Sequence, residues 1–312
     1  MYIVGLLFWA VQGAWGQSYP RDTSYTVQGT YAKYKKKFPE IEVAQAIPSA
    51  ELRQYKGVVY ATHTGRDLCL NVYEGSRPAE HQPMIVMVHG GGWISGAPDH
   101  LEPLAQTLAM AGYVTATVEY RLSPEAIYPA GVRDVKYAVR WLKTRASDYG
   151  VDTSRMVLLG SSAGGQIAAL VGLSGGFALY DMEDSTLHAS SRVQGVIDMD
   201  GVLAFHHPDS QEGQVAGLWL GGAYESVPET WEEASPLSHV SADDPPILFV
   251  NSSSRRFRAG REDVIERYDA YGIYHQSYTF GTTPHTFWLF DPWFAPTVAE
   301  ILSFMEALFP SE

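Results

Sequence analysis

The amino-acid sequence predicts a mostly parallel, doubly wound α/β sheet with helices on both faces. Two patterns and one junction carry that prediction. Short, continuous apolar runs at 84–89, 114–119 and 247–251 read as strands covered on both sides. Segments of helical spacing alternate with such runs along most of the chain, the rhythm of a parallel sheet. The junction is Gly160-Ser161-Ser162-Ala163-Gly164, where one apolar run passes directly into a helical pattern.

Taken in order, residues 1–16 read as a secretory signal. The run Ile3 to Val11 is apolar and short for a bilayer span. Ala14 and Gly16 supply the small residues that cleavage before Gln17 needs, although no Lys or Arg follows Met1. The competing reading is a buried N-terminal strand or helix. With the signal reading, the protein is expected outside the cell or in a periplasm. Residues 17–55 read as an irregular or partly helical arm, with Lys33-Tyr34-Lys35-Lys36-Lys37 as a solvated face. The main α/β domain is expected over 56–312.

Within it, 57–62 and 68–73 suggest an antiparallel opening pair, followed by a strand at 84–89 and a helix at 101–111. A strand at 114–119 precedes an amphipathic helix at 131–146, with Val132, Val135, Val139 and Leu142 on one face. A strand at 155–160 leads to a helix at 162–173, and a strand follows at 193–199. Residues 200–240 break the rhythm with Gly, Pro, Trp and His and read as an insertion over the active-site edge. The pattern resumes with a strand at 247–251, a helix at 260–271, a strand at 274–280 and a helix at 296–309. Function in such sheets sits at the carboxyl ends of the strands.

The 312 residues carry 46% hydrophobic and 18% charged side chains, enough for a large core and unlike a disordered chain. A formal net charge of −13 argues against a general nucleic-acid binder, because phosphate contact needs a basic face. No second stretch reads as transmembrane. Cys69 is the single cysteine and sits in an apolar strand pattern, so it reads as a packed small hydrophobe. No His/Cys/Asp cluster has metal-ligand spacing, and no cofactor is implied.

The segment Gly160 to Gly164 fits G-x-S-x-G in the required strand-to-helix setting, which makes Ser162 the candidate nucleophile. Small neighbours allow the sharp turn, and the helix N-terminus favours developing negative charge. Ser161 fails as the centre, because Leu159 and Ala163 stand where glycines would be needed. His89-Gly90-Gly91-Gly92-Trp93 follows the strand at 84–88, and a glycine run lets main-chain N–H groups turn inward. Gly91, Gly92 and Ala163 are therefore the expected oxyanion donors, each worth about 3 kcal/mol at the transition state. His89 reads as a hydrogen-bonder beneath that loop. Chain order puts the base after the last strand, where His285 stands. His275 lies at the wrong end of a strand, and His206 and His207 fall in the insertion, where they could touch substrate.

At this point the chain resembles the α/β-hydrolase fold, in its hormone-sensitive-lipase-like and feruloyl/acetyl carbohydrate-esterase branch. The matching segments include His89 to Trp93, Glu119 to Glu125, Tyr128 to Asp134, Gly160 to Gly165, Ala234 to Leu237 and Pro245 to Leu248. Within that branch the C-terminal half resembles secreted pectin esterases of gut Bacteroidetes. Asp200 to Phe205, Arg256 to Arg261 and Thr286 to Phe294 carry this narrower likeness.

The resemblance also exposes a departure. The family places an Asp or Glu a few residues beyond the Pro-Pro-led strand, and here that stretch reads Asn251-Ser252-Ser253-Ser254-Arg255-Arg256. An imidazole base needs a carboxylate to fix its tautomer. Asp200, one strand nearer the nucleophile and followed by Gly201, is the first candidate. Asp263 is second, and Glu262 or no acid at all completes the range. An Asp at position 200 could equally be a structural cap.

Arg255, Arg256, Arg258 and Arg261 cluster at the carboxyl end of a strand in an acidic protein. A guanidinium fork matches a carboxylate, so one or two of them could read a uronic acid beside the ester. The bland alternative pairs them with Asp243, Asp244, Glu262 or Asp263. Trp93 is the expected cleft-lining aromatic among Trp93, Trp219, Trp231, Trp288 and Trp293. The Trp288 to Phe294 cluster reads as packing under the His285 loop. The expected substrate is an ester of plant cell-wall polysaccharide or oligosaccharide, pectin-type with a methyl or acetyl group. The alternatives are an acetyl-xylan or feruloyl esterase on neutral chains, or a catalytically silent glycan-binding homologue.

Overall fold

A computed structural model describes residues 22–63, 65–76, 80–123, 125–180 and 187–310. The expected signal at 1–16 and the first residues of the arm lie outside this range. Eight strands form the main sheet: β2 (Leu52–His63), β3 (Arg66–Gly75), β4 (Gln82–Val88), β5 (Val114–Val118), β6 (Val151–Ser161), β7 (Gly195–Met199), β8 (Ile247–Asn251) and β9 (His275–Thr279). Their order is β2-β3-β5-β4-β6-β7-β8-β9. The β2/β3 and β3/β5 pairs are antiparallel, and every later pair is parallel. This is the mostly parallel sheet and antiparallel opening that the sequence predicts.

Apolar burial explains why the central strands are uninterrupted hydrophobic runs. Along β4, Met84, Val86 and Val88 enter one core, while Ile85 and Met87 enter the other. The first core is covered by α3 (Ala130–Thr144), α4 (Ala163–Leu173) and α7 (Arg261–Tyr271). The second is covered by α2 (Glu102–Met110) and α8 (Phe294–Leu308). In α3 the predicted stripe of Val132, Val135, Val139 and Leu142 is fully buried.

Asp134 is buried on the same helix. Arg121 donates to it through Nε at 2.8 Å and Nη2 at 2.7 Å, its backbone N–H adds a bond at 2.9 Å, and His63 approaches at 3.2 Å. Burial pushes the Asp134 carboxyl up, but the His63 and Arg121 bonds outweigh it and hold it below the ordinary Asp range. This pair, a buried carboxylate and a half-buried guanidinium, fastens the loop after β5 to α3.

The arm is partly helical, as expected. It holds α1 (Val27–Lys35) and the two-residue β1 (Glu42–Val43), which pairs with β10 (Phe290–Asp291). Thr26 caps α1 by accepting from the Gly29 N–H at 3.0 Å. Lys33, Lys36 and Lys37 are exposed. Phe38 and Ile41 enter the second core, so the arm is packed onto the sheet domain. The region 200–240 contains α5 (Gly213–Leu220) and α6 (Pro228–Glu233), arranged around buried Phe205, Trp219 and Trp231. No helix of the described residues is long and apolar enough to cross a membrane.

Candidate active site

Strand β6 ends at Ser161 and α4 begins at Ala163, so a single residue makes the turn. That residue, Ser162, has φ 54° and ψ −122°, a backbone most side chains avoid. The neighbouring chain over-determines it. Ser162 N–H donates to Met199 O at 2.8 Å, and Ser162 O accepts from Gln166 N–H at 3.0 Å to start the helix. The turn is tight enough to require glycine on both sides. A Cβ on Gly160 would lie 2.0 Å from Gly164 O, and one on Gly164 would lie 2.1 Å from Val88 O. Ser161 is buried and paired with Met199 in the sheet.

Ser162 Oγ and His285 Nε2 are 2.9 Å apart, and His285 Nδ1 lies 2.8 Å from Asp200 Oδ2. With Asp200 ionised, Nδ1 carries the proton and donates, leaving Nε2 to accept from the serine hydroxyl. Asp200 itself is fixed. Its Oδ1 accepts from the Ser252 N–H at 2.8 Å, with Asn251 Nδ2 at 3.4 Å. The segment where the family pattern puts its acid thus donates to an acid supplied by the preceding strand. Asp200 also has φ 55°, which swings its carboxylate off the end of β7. The imidazole is clamped by Phe257, stacked at 3.5 Å and 14°, and by the edge of Trp288 at 5.5 Å.

The loop after β4 runs back beside the serine. Gly91 and Gly92 line a cavity of about 260 Å³ together with Ser162, His285, Thr286, Ser95 and Tyr25. The N–H groups of Gly91, Gly92 and Ala163 make no hydrogen bond to a described residue. Gly91 O accepts instead, from the Ser95 N–H at 3.0 Å and Ser95 Oγ at 2.9 Å, which fixes the loop's curl. A Cβ on Gly91 would lie 2.1 Å from Ser95 O, so the curl admits only glycine there. His89 is buried beneath it, stacked on Tyr120 at 4.5 Å, with Nδ1 2.8 Å from Gly90 O.

Several sequence expectations are corrected by packing. Trp93 does not line the cleft. Its φ of 63° turns the indole under the loop, where it is 2% exposed, stacks on Trp219 at 5.2 Å and donates to Gln166 Oε1 at 2.9 Å. Asp263 does not reach His285, because it lies on α7 and faces His207 at 3.3 Å. Glu262, its neighbour, pairs with Arg261. Arg261 is a buried strut, 7% exposed, donating to Asn251 Oδ1 at 2.8 Å and Thr279 Oγ1 at 3.0 Å. Arg256 donates to Glu212 Oε1 at 3.0 Å, a partner the sequence did not suggest. Arg255 is exposed and Arg258 half-buried, and neither holds a hydrogen bond or ion pair among the described residues. Burial pulls the Arg258 guanidinium below its ordinary range, and the neighbouring Arg261 charge acts the same way.

Three residues of this region escaped sequence reading. Asp198, two positions before Asp200, is fully buried and accepts from the Gly201 N–H at 2.8 Å. Burial raises its carboxyl well above the ordinary range, and the Asp200 charge adds to that. The only available signal was an acid inside an apolar strand. Tyr25 and Tyr34 come from the arm, and nothing local in the sequence marks them. Burial raises the Tyr34 phenol and the Asp200 charge adds to that, while the His285 backbone and the Arg256 guanidinium oppose it. His206 stacks on Tyr224 at 3.8 Å, within the insertion. Cys69 lies in β3, its thiol pushed up by burial. No group of three metal-ligating side chains gathers among the described residues.

Known proteins share this architecture. Esterase LipQ of Mycobacterium tuberculosis is 26% identical over 216 residues, 64% of this chain and 51% of LipQ. Carboxylesterase NlhH of the same organism is 40% identical over 106 residues, 34% of this chain and 33% of NlhH. The matched segments therefore span about half or less of these relatives. A truncated carbohydrate esterase from gut microbiota superposes with a TM-score of 0.71 at 20% identity, covering 84% of this chain and 98% of that one. Esterase 2 of Thermogutta terrifontis gives 0.69 at 22% identity, covering 85% and 95%. Both establish the α/β-hydrolase fold. The BD-FAE family model matches residues 70–256, more than half of the sequence, and the chain belongs to the BD-FAE family.

Proposed function

We propose that this chain is a serine carbohydrate esterase acting on plant polysaccharide, exported as the N-terminal segment suggests. The observation that carries the reading is the hydrogen-bonded line Ser162–His285–Asp200 beside two inward-curled glycines. In the mechanism, His285 Nε2 takes the Ser162 proton as Oγ attacks the ester carbonyl. The N–H groups of Gly91, Gly92 and Ala163 hold the oxyanion, and Asp200 stabilises the imidazolium. As the tetrahedral intermediate collapses and the acyl C–O bond breaks, the imidazolium gives its proton to the leaving sugar oxygen, which departs as a hydroxyl. Water, activated by the same imidazole, then releases the acid and restores Ser162.

Membership of the BD-FAE family favours acetyl or feruloyl esters. Two proteins of the same fold, one a gut-microbiota carbohydrate esterase and one a bifunctional GH43-CE of Bacteroides eggerthii, point to glycan substrates. The test is product analysis on acetylated xylan, feruloylated oligosaccharide, and acetylated and methylated pectin. Release of acetate or ferulate, lost in Ser162→Ala, supports the reading. Intact protein that releases nothing from any of these or from p-nitrophenyl acetate would instead be a silent glycan binder.

A second reading, a pectin-type chain with a uronate near the ester, rests on Arg255 and Arg258. These two guanidiniums lie beside the site without a carboxylate partner among the described residues. It requires a preference for acetylated pectin over acetylated xylan that Arg258→Ala removes.

A further inference from the structure

We infer that the N-terminal arm completes the active site, with the ring of Tyr25 walling the cavity at Ser162 and limiting the acyl group to a small one. The inference rests on the esterase reading and narrows its substrate.

The arm crosses the cleft and is fastened on both banks. On the oxyanion side, Asp22 forms a parallel bridge to Ser95, the residue whose hydroxyl donates to Gly91 O. Tyr25 sets its ring against His100, 4.7 Å away and nearly perpendicular at 89°. On the histidine side, β1 pairs with β10, Phe38 meets Trp293 at 5.3 Å, and Tyr31 meets Phe290 at 6.2 Å. Tyr34, between the two, has its phenol opposite the His285 main chain. A segment held at both ends places a side chain as reproducibly as an element of the sheet does. Among the described residues, Tyr25 is the one arm residue that lines the cavity with Ser162 and His285.

The size of that cavity gives the wall its consequence. At about 260 Å³ it falls below the roughly 300–1,000 Å³ of pockets that enclose drug-sized ligands. An acetyl group fits such a space, whereas a polymer must lie outside it. An acetylated sugar meets this condition with the sugar as leaving group. A methyl-esterified uronate does not, since its acyl half is the polymer itself. Tyr25 is also held neutral, its phenol pushed above the usual range by burial and by Tyr34, so it presents no charge to the acyl group. The arm lies outside residues 70–256, so this wall is an addition to the segment shared with the family.

The experiment measures kcat/KM on p-nitrophenyl acetate, butyrate and octanoate for the wild type, Tyr25→Phe, Tyr25→Leu and Tyr25→Ala, with circular dichroism to check folding. The wild type and Tyr25→Phe, which keeps the ring, should both favour acetate. Tyr25→Ala should raise the octanoate-to-acetate ratio at least tenfold, with Tyr25→Leu between, and Leu alone decides if the Ala variant does not fold. An unchanged ratio in the folded variants overturns the proposal while leaving the esterase reading intact. A shift in Tyr25→Phe as large as in Tyr25→Ala also overturns it, because the hydroxyl and not the ring would then be the determinant. A wild type inactive on all three esters removes both readings together.

Discussion

His285 Nδ1 lies 2.8 Å from a carboxylate oxygen of Asp200, a residue on the turn that ends β7 and not on the loop after β8. The β8 loop contributes donors instead, through the Ser252 N–H and the Asn251 amide. The acid is therefore held from two sides, by the imidazole it orients and by the segment next to it in the sheet.

Asp200→Asn should lower kcat on p-nitrophenyl acetate by about 10⁴-fold with little change in KM, because an amide cannot hold the imidazole in the required tautomer or stabilise its charged form. Asp263→Asn, at a carboxylate that faces His207 and not His285, should leave the rate within twofold. Steady-state kinetics on the two variants side by side checks this. Equal rates for Asp200→Asn and the wild type would break the assignment.

The pairing of buried Asp134 with Arg121 should make folding acid-sensitive. The Asp134 carboxyl is held low in the folded protein, so its contribution is fully present above the unfolded value of about 3.9. It is lost as pH falls through the lower folded value. Asp134→Ala should cost about 1.5–3 kcal/mol at pH 7, since the half-buried Arg121 loses its charged hydrogen-bond acceptor. It should also flatten the acid limb of the stability profile. Urea unfolding from pH 2 to 7 measures both effects.

Asp198 should act in the opposite direction. Its carboxyl is raised in the folded state, so folding takes up a proton at any pH between the unfolded and folded values. Stability then declines with rising pH across that window, by up to about 1.4 kcal/mol per pH unit for one proton. Asp198→Asn keeps an acceptor for the Gly201 N–H and has no proton to take up. Its denaturation midpoint, compared with the wild type between pH 4 and 8, should lose this decline. A parallel pair of pH profiles would show that Asp198 is ionised when folded.

The arginines should divide by function. Arg261→Ala should destabilise by about 1–3 kcal/mol, because Asn251 Oδ1 loses its buried donor. Arg258→Ala should change stability by less than about 0.5 kcal/mol, because this half-buried side chain holds no hydrogen bond or ion pair among the described residues. If the uronate reading holds, Arg258→Ala raises KM on acetylated pectin and leaves acetylated xylan unaffected. Thermal melts with kinetics on the two polymers separate these outcomes.

The strand and helix rhythm was legible because each central strand is buried on both faces and must be apolar throughout, as Ile85, Val86 and Met87 are. Ser162 and the glycine loop were legible for a local reason. A one-residue turn from strand to helix, or a loop of inward amides, demands small residues at fixed neighbouring positions. Those demands are written over five adjacent residues at Gly160 to Gly164 and again at His89 to Trp93.

The sequence by itself thus determined the sheet, the serine on its sharp turn and the place in chain order where a histidine should fall. Only the tertiary structure decided that Asp200 and not Asp263 meets His285, that Trp93 is core, that Arg261 is a strut, and that Tyr25 faces the nucleophile. The physical reason is range. Backbone geometry is fixed by near neighbours, whereas a side chain's partner is chosen by which strand ends and loops the sheet brings together from distant parts of the chain.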